Sequence, residues 1–300
     1  MLSWLLVIIL SYLFFALSSF GDKMVLAGSP NPKSYTFYSG ILNILAIILI
    51  PFVGITIPNA NLLFWIMLDA IIFAFGLYFG FSAVEDFEVS KVAVTIGATQ
   101  PIFIFFISWL FWGYQDLSFS NFIAFFLLFV GSIIISFDKK PELTGKYLKL
   151  TLLASLMYSF DYVLLKFIFN NLSFVQGFIW RSIFISLVVL FLLVKKQNRR
   201  EIFKKKMKNR QKFGAIFLAT QTCGGTANIL QSFAIFLAPI AFLPIVNSLR
   251  GLQYIFLFII TLFFTYFAPK IFKEKISKKI ILRKIISIFL IVSGLIVLAF

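Results

Sequence analysis

Apolar residues run along this chain in long blocks, set apart by short stretches of charge, Pro, Asn and Gly. A helix needs about 20 mostly apolar residues to cross a bilayer. Reading from break to break predicts ten such segments, over roughly 2–20, 34–53, 62–83, 91–112, 119–137, 147–168, 174–194, 213–236, 241–266 and 282–300. Runs such as FIAFFLLFVGSIIISF (122–137) do not alternate, which rules against strands of a membrane barrel. The first segment has no basic residue before it, so it reads as a retained span rather than a signal peptide.

Composition sharpens the class. Of 300 residues, 61% are apolar and 13% charged, with mean hydropathy +1.01. A soluble domain is about half apolar and a quarter charged, so an integral membrane protein is expected, with no soluble domain beside it. The chain has no His and one Cys. That excludes a histidine base, a disulfide framework and a cysteine zinc site. No cofactor and no metal are expected.

Internal similarity predicts two halves. FLLFVGSIIISF (126–137) lies over FLIVSGLIVLAF (289–300) at a shift of 163, with Gly131 over Gly294. EVSKVAVTIGATQPIF (88–103) lies over PIAFLPIVNSLRGLQY (239–254) at a shift of 151, and YTFYSG (35–40) over GFIWRS (177–182) at 142. The shifts grow because the second half is enlarged at 195–212 and 267–284. The halves are therefore 1–140 and 141–300, with five spans each. An odd count makes the second half enter the membrane from the opposite side, and inverted repeats of this kind serve alternating access. The expected fold is an all-α membrane protein, ten transmembrane helices in two inverted five-helix repeats.

Loop charge predicts orientation. Segment 195–212 holds ten basic residues and one Glu; segment 267–284 holds seven and one. Loops after even-numbered spans are nearly bare, with only Asp116 in 113–118. Short basic loops stay cytoplasmic. Both termini are then expected outside a plasma (cytoplasmic) membrane. Anionic lipid headgroups are the natural partners of the two basic segments. Segment 195–212 lacks the interleaved aromatics of a single-strand nucleic-acid surface, so no nucleic acid is expected. A homodimer is compatible with the sequence.

Ionisable groups inside spans cost about 2.5–3.5 kcal/mol each at a helix centre, so each implies a partner or a cavity. Asp69, Asp161, Arg181 and Arg250 are the four. Asp161 and Arg181 are equidistant from the turn near residue 171, at matching depth, and their repeat counterparts Ser18 and Ser39 are neutral. A structural ion pair is favoured over a substrate contact. Lys23 and Lys166, at span ends, are expected to snorkel. Span 8 carries Gln221, Gly224, Asn228 and Gln231 on one helical face, and span 9 carries Asn247, Arg250 and Tyr254. These faces either line a cavity or bond helices together. Span 4 adds Thr95 and Thr99, the latter the repeat counterpart of Arg250, with Gln100 beside them. The candidate substrate set is Arg250, Asn247, Tyr254, Asn228, Gln221, Thr95 and Thr99. Asp69 is the candidate for proton or ion coupling, or a partner for Arg250. Gly76 and Gly80 read as helix-packing glycines, and Glu85, Asp86 and Glu88 as a solvated acidic loop.

Two five-helix halves, ALSSFGDKMVLAG ending span 1, Gln100-Pro101-Ile102-Phe103 in span 4, and the glycine-centred ends of spans 5 and 10 resemble the drug/metabolite transporter superfamily in its EamA-like branch. The second half departs from that pattern, with Gly251-Leu252-Gln253-Tyr254 in place of a Pro-containing segment. The resemblance implies export or exchange of small metabolites, and cytoplasmic termini, the reverse of the charge count. Arg250, a planar donor suited to carboxylate or phosphate, makes an amino acid or related organic anion the leading substrate. The alternatives are an exporter of amphipathic or aromatic compounds and a non-transporting scaffold subunit. A lipid-processing enzyme is disfavoured, since there is no Gly-x-Ser-x-Gly elbow and no paired aspartates for a Mg²⁺-diphosphate site.

Overall fold

A computed structural model describes residues 3–26, 32–87, 89–113, 118–136, 144–204, 210–267 and 278–299. Every regular element among the described residues is helical. The elements are α1 (Ser3–Leu26), α2 (Pro32–Ile41), a 3-10 stretch Leu42–Leu49 running into α3 (Ile50–Val53), α4 (Ala60–Asp86), α5 (Val89–Trp112) and α6 (Phe119–Ser136). They continue as α7 (Gly145–Asn171), α8 (Phe174–Leu190), α9 (Lys196–Lys204), α10 (Arg210–Leu237), α11 (Leu243–Ser248), α12 (Gly251–Phe267) and α13 (Lys278–Ala299).

The ten apolar segments are helical over their described residues, and seven stretches among those residues are long and apolar enough to cross a membrane. Over its described residues α6 contributes the shorter apolar stretch Phe119–Ile135. The centre of α10 carries Thr220, Gln221, Thr222, Thr226 and Asn228, and α13 opens with Lys278, Lys279, Arg283 and Lys284. The chain is an all-α membrane protein with at least these seven membrane-length helices.

Local chemistry sets the helix ends. Asn59 Oδ1 accepts from the Leu62 amide at 2.8 Å and Thr144 Oγ1 from the Tyr147 amide at 3.3 Å, capping α4 and α7. Gly54 and Gly113, at φ 67° and 74°, end α3 and α5 in a conformation that glycine tolerates best. The segment after α3 is pinned to α8: Gln176 exchanges two hydrogen bonds with Gly54 and Thr56, and Trp180 Nε1 donates to the Thr56 carbonyl.

The helices form two compact units. One comprises Met1–Gly28, Trp109–Pro141 and Lys208–Phe300; the other comprises Ser29–Ser108 and Glu142–Met207. Each takes helices from both sequence halves, so packing does not divide the chain at residue 140. In the first, α1 packs along α10 and α12, and α6 packs along α13, α12 and α11. In the second, α4 packs along α7 and α8, with α2 against α4, α8 and α9.

Beside a buried apolar core, large apolar side chains face outward and several polar ones inward. Phe52, Phe119 and Leu110 are 81%, 79% and 75% exposed, whereas Ser11, Ser155 and Asp69 are fully buried. Apolar side chains outward and polar ones inward is what a hydrocarbon solvent demands. The buried hydroxyls are bonded locally, as when Thr151, Ser159 and Ser186 donate to carbonyls one turn back.

Two expectations change here. Part of the basic segment 195–212 is the helix α9, with Ile202 buried and the Phe203 ring 5.9 Å from that of Phe37; residues 205–209 and 268–277 lie outside the described residues. Lys166, expected to snorkel, is 5% exposed and lies in the stretch 161–166 of α7, which is buried throughout. The Lys23 side chain lies outside the described residues.

Candidate functional site: an interrupted helix bearing Arg250

Span 9 is not one continuous helix. It runs as a 3-10 turn over Ile240–Phe242, then α11, then an interruption at Leu249-Arg250, then α12. In an unbroken helix the Arg250 amide donates to the carbonyl of Val246. Here it donates to Asn247 at 3.0 Å; likewise Leu252 turns to Leu249 at 2.9 Å and Gln253 to Arg250 at 3.0 Å. The carbonyls this displaces need other donors in an apolar medium. Tyr12 of α1 gives its hydroxyl to the Val246 carbonyl at 3.0 Å, and Ser132 of α6 gives its own to the Ser248 carbonyl at 2.7 Å. Gly251 admits this approach, because a Cβ there would collide with Ser132 and Ile291. Side chains from two other helices therefore hold the break open.

Arg250 stands at that break. Its guanidinium, together with Gln231 and Tyr254, lies beside the Tyr12 hydroxyl, which is fully buried. Asn247, one turn earlier, is fully buried, and neither its side-chain oxygen Oδ1 nor its side-chain nitrogen Nδ2 meets a partner among the described residues. A buried amide with both ends idle carries a desolvation cost that a ligand or a water would relieve. Gln253 Nε2 donates to Ser19 Oγ of α1 at 3.0 Å.

The polar face of α10 is filled by α1. Gly21 meets Thr220, Ser18 meets Gly224, and Ser11 Oγ donates to the Ala227 carbonyl at 2.8 Å. Gln221 and Asn228 are both half-buried. Gly224 is thus a packing glycine. Tyr12 and Ser11 were missed in the sequence, although Ser11, Tyr12, Ser18 and Ser19 recur seven residues apart and form a polar stripe on an apolar helix.

Thr95 and Thr99 belong to the second compact unit. There, Thr95 Oγ1 and the Tyr147 hydroxyl share a hydrogen bond of 2.6 Å, while Thr99 Oγ1 donates to Ser155 Oγ at 2.8 Å. Both hydroxyls are occupied in tying α5 to α7. Gly76 and Gly80 face Tyr158 of α7, as packing glycines do.

Asp69 also lies in the second unit, where it is bonded to Arg181. Arg181 of α8 donates through Nε to Asp69 Oδ2 at 2.8 Å and through Nη2 to Asp161 Oδ1, so it lies between two carboxylates from α4 and α7. Phe73 covers the guanidinium, its ring centroid 4.8 Å from the central carbon. All three ionisable side chains are buried. Depth matching in the sequence paired Asp161 with Arg181; the second carboxylate comes from a helix distant in the chain.

No protein-family profile matches the sequence, and no curated protein matches it at a significant level. Twenty-eight solved chains do match in three dimensions. One, described only as the crystal structure of a protein, superimposes with a TM-score of 0.68 at 14% identity, over 98% of this chain and 96% of that one. At that identity the likeness is one of fold, and it extends over nearly the whole chain.

Proposed function

We propose that the protein is a secondary carrier for small organic anions, with amino acids the leading class, related to the EamA-like branch of the drug/metabolite transporters. In this reading ten transmembrane helices form two inverted five-helix repeats, 1–140 and 141–300. The basic segments 195–212 and 267–284 face the cytoplasm, against anionic lipid, and both termini face outward.

The repeat draws support from reciprocal contacts. A Cβ on Gly131 of α6 would lie 2.7 Å from Ile291 of α13, and one on Gly294 of α13 would lie 2.8 Å from Leu128 of α6. Leu128 and Ile291 are themselves counterparts at the shift of 163 that relates Gly131 to Gly294. A local two-fold at that crossing produces this exchange; an unrelated helix pair has no reason to. The packing of α1 on α10 and of α4 on α7 is likewise one contact written twice, span 1 on span 8 and span 6 on span 3. The Thr99–Ser155 bond occupies the place in the first half of span 4 that Arg250 beside Tyr12 occupies in span 9. Pro101, which removes an amide donor inside α5, sits one residue beyond the counterpart of Gly251.

The observation that carries the functional reading is the interrupted helix with an arginine at the break. Discontinuous helices are how many carriers build a substrate site within the bilayer. Arg250 offers a planar fork for a carboxylate. Asn247 offers a buried acceptor and donor with no partner among the described residues, suited to an amino group or a second polar end. Proteoliposomes preloaded with radiolabelled amino acids and organic acids test the proposal. Release of one class, blocked by unlabelled substrate, supports it; retention of all of them leaves a scaffold, and release of amphipathic aromatic compounds alone leaves the other kind of exporter.

A further inference from the structure

The second unit contains a charge arrangement that the substrate site does not use. Arg181 is shared by Asp69 and Asp161, all three buried. With every group ionised the cluster carries one negative charge too many. Asp69 is fully buried, and its second oxygen, Oδ1, meets no partner among the described residues.

Among the described residues, Arg181 is the cation that bonds both carboxylates. Lys166, five residues beyond Asp161 on α7, is about 7.5 Å further along the axis and turned away by well over a quarter turn. The remaining titratable neighbours on α7 are the phenols Tyr158 and Tyr162, and α2 contributes only Tyr38 among its described side chains. A metal cation needs several oxygen ligands, and no cluster of metal-binding side chains occurs among the described residues. A proton needs only one oxygen.

We propose that the Asp69–Arg181–Asp161 triad binds one proton on the free Oδ1 of Asp69, and that this proton is the ion coupled to substrate movement. The coupling half rests on the carrier reading above; the proton-binding half does not. Binding forms one O–H bond and brings the cluster to neutrality, with Arg181 still bonded to Asp161. Release restores the carboxylate and leaves the excess charge buried, so the two states differ in how well the unit tolerates its surroundings. Two protonation states of unequal stability are what coupling requires.

Infrared difference spectra of the purified full-length protein, recorded between neutral and alkaline pH without substrate, test the binding. The wild type should show a protonated carboxyl C=O band at neutral pH that disappears at alkaline pH. Asp69→Asn should lack it, and so should Asp161→Asn, because either change leaves one carboxylate matched to one arginine. Asparagine imitates the neutral acid, so thermal unfolding of these variants should stay close to wild type; if one fails to fold, the other carries the test. Absence of the band in the wild type, its persistence in both variants, or its replacement on adding sodium would overturn the proposal. Proteoliposomes then test the coupling: a pH gradient should drive accumulation in the wild type and none in Asp69→Asn. The band without any transport would sink the carrier reading and leave the proton site standing; transport driven without the band would do the reverse.

Discussion

The Tyr12 hydroxyl lies 3.0 Å from the carbonyl of Val246, 234 residues away in the chain. That carbonyl loses its helical amide partner because the Arg250 N–H turns to Asn247 instead. A single phenol in α1 thus stabilises the interruption that places Arg250.

Tyr12→Phe should therefore act at a distance. It leaves the Val246 carbonyl without its donor, at a cost of about 1–3 kcal/mol, and lets α11 and α12 close toward a continuous helix. Thermal unfolding in detergent should fall accordingly, and transport should fall further than stability alone explains. Unchanged stability and transport would mean that the break holds itself.

The α6–α13 crossing gives a test of the repeat. Gly131→Ala would set a methyl 2.7 Å from the Ile291 side chain and 3.2 Å from its backbone nitrogen, and over-packing of this kind costs about 1–3 kcal/mol. Gly294→Ala should cost a similar amount. Adding Ile291→Ala to Gly131→Ala should recover part of the loss, and adding Leu128→Ala should do the same for Gly294→Ala. Additive losses in both cycles would deny the reciprocal contact.

The triad changes what a double mutant should do. Arg181→Leu strands two buried carboxylates, and breaking buried pairs costs about 3–5 kcal/mol. At alkaline pH, where Asp69 is ionised, adding Asp161→Leu alone should not restore stability, because Asp69 keeps its uncompensated charge. The triple variant with Asp69→Leu should recover most of it. Full recovery in the double variant would mean that Asp69 does not depend on Arg181.

The helices were legible because long apolar blocks admit few other structures in a membrane. The interruption was not. Asn247, Arg250 and Tyr254 recur at spacings that fit one face of an unbroken helix, and the donors that make a break tolerable, Tyr12 and Ser132, are remote in sequence. Depth matching found Asp161 for Arg181 because the two lie on either side of one turn. It had no way to find Asp69, brought in by the packing of α4 on α7 and α8. Thr95 and Thr99 read from the sequence as a polar face, and the structure adds what the sequence does not carry: their hydroxyls bond Tyr147 and Ser155. The heptad-spaced polar stripe of α1 was readable and marks a helix packed against polar neighbours.

Orientation rests on loop charge and is tested with single cysteines in a Cys223→Ser background. Pro58→Cys should react with an impermeant thiol reagent in intact cells, and Arg200→Cys should react only after lysis. The reverse pattern would place both termini in the cytoplasm, as the family resemblance implies.

The most direct test of the carrier is substrate counterflow in proteoliposomes made with Arg250→Gln and Arg250→Lys beside the wild type. The wild type should exchange a carboxylate-bearing metabolite. The glutamine variant should fold normally yet exchange none, since it keeps polarity and loses the charge. Lysine should restore a small fraction, having the charge without the bidentate fork. Wild-type exchange by the glutamine variant would contradict the assignment of Arg250 as the substrate's anchor, and failure of that variant to fold would make Arg250 a structural residue of the α11–α12 break.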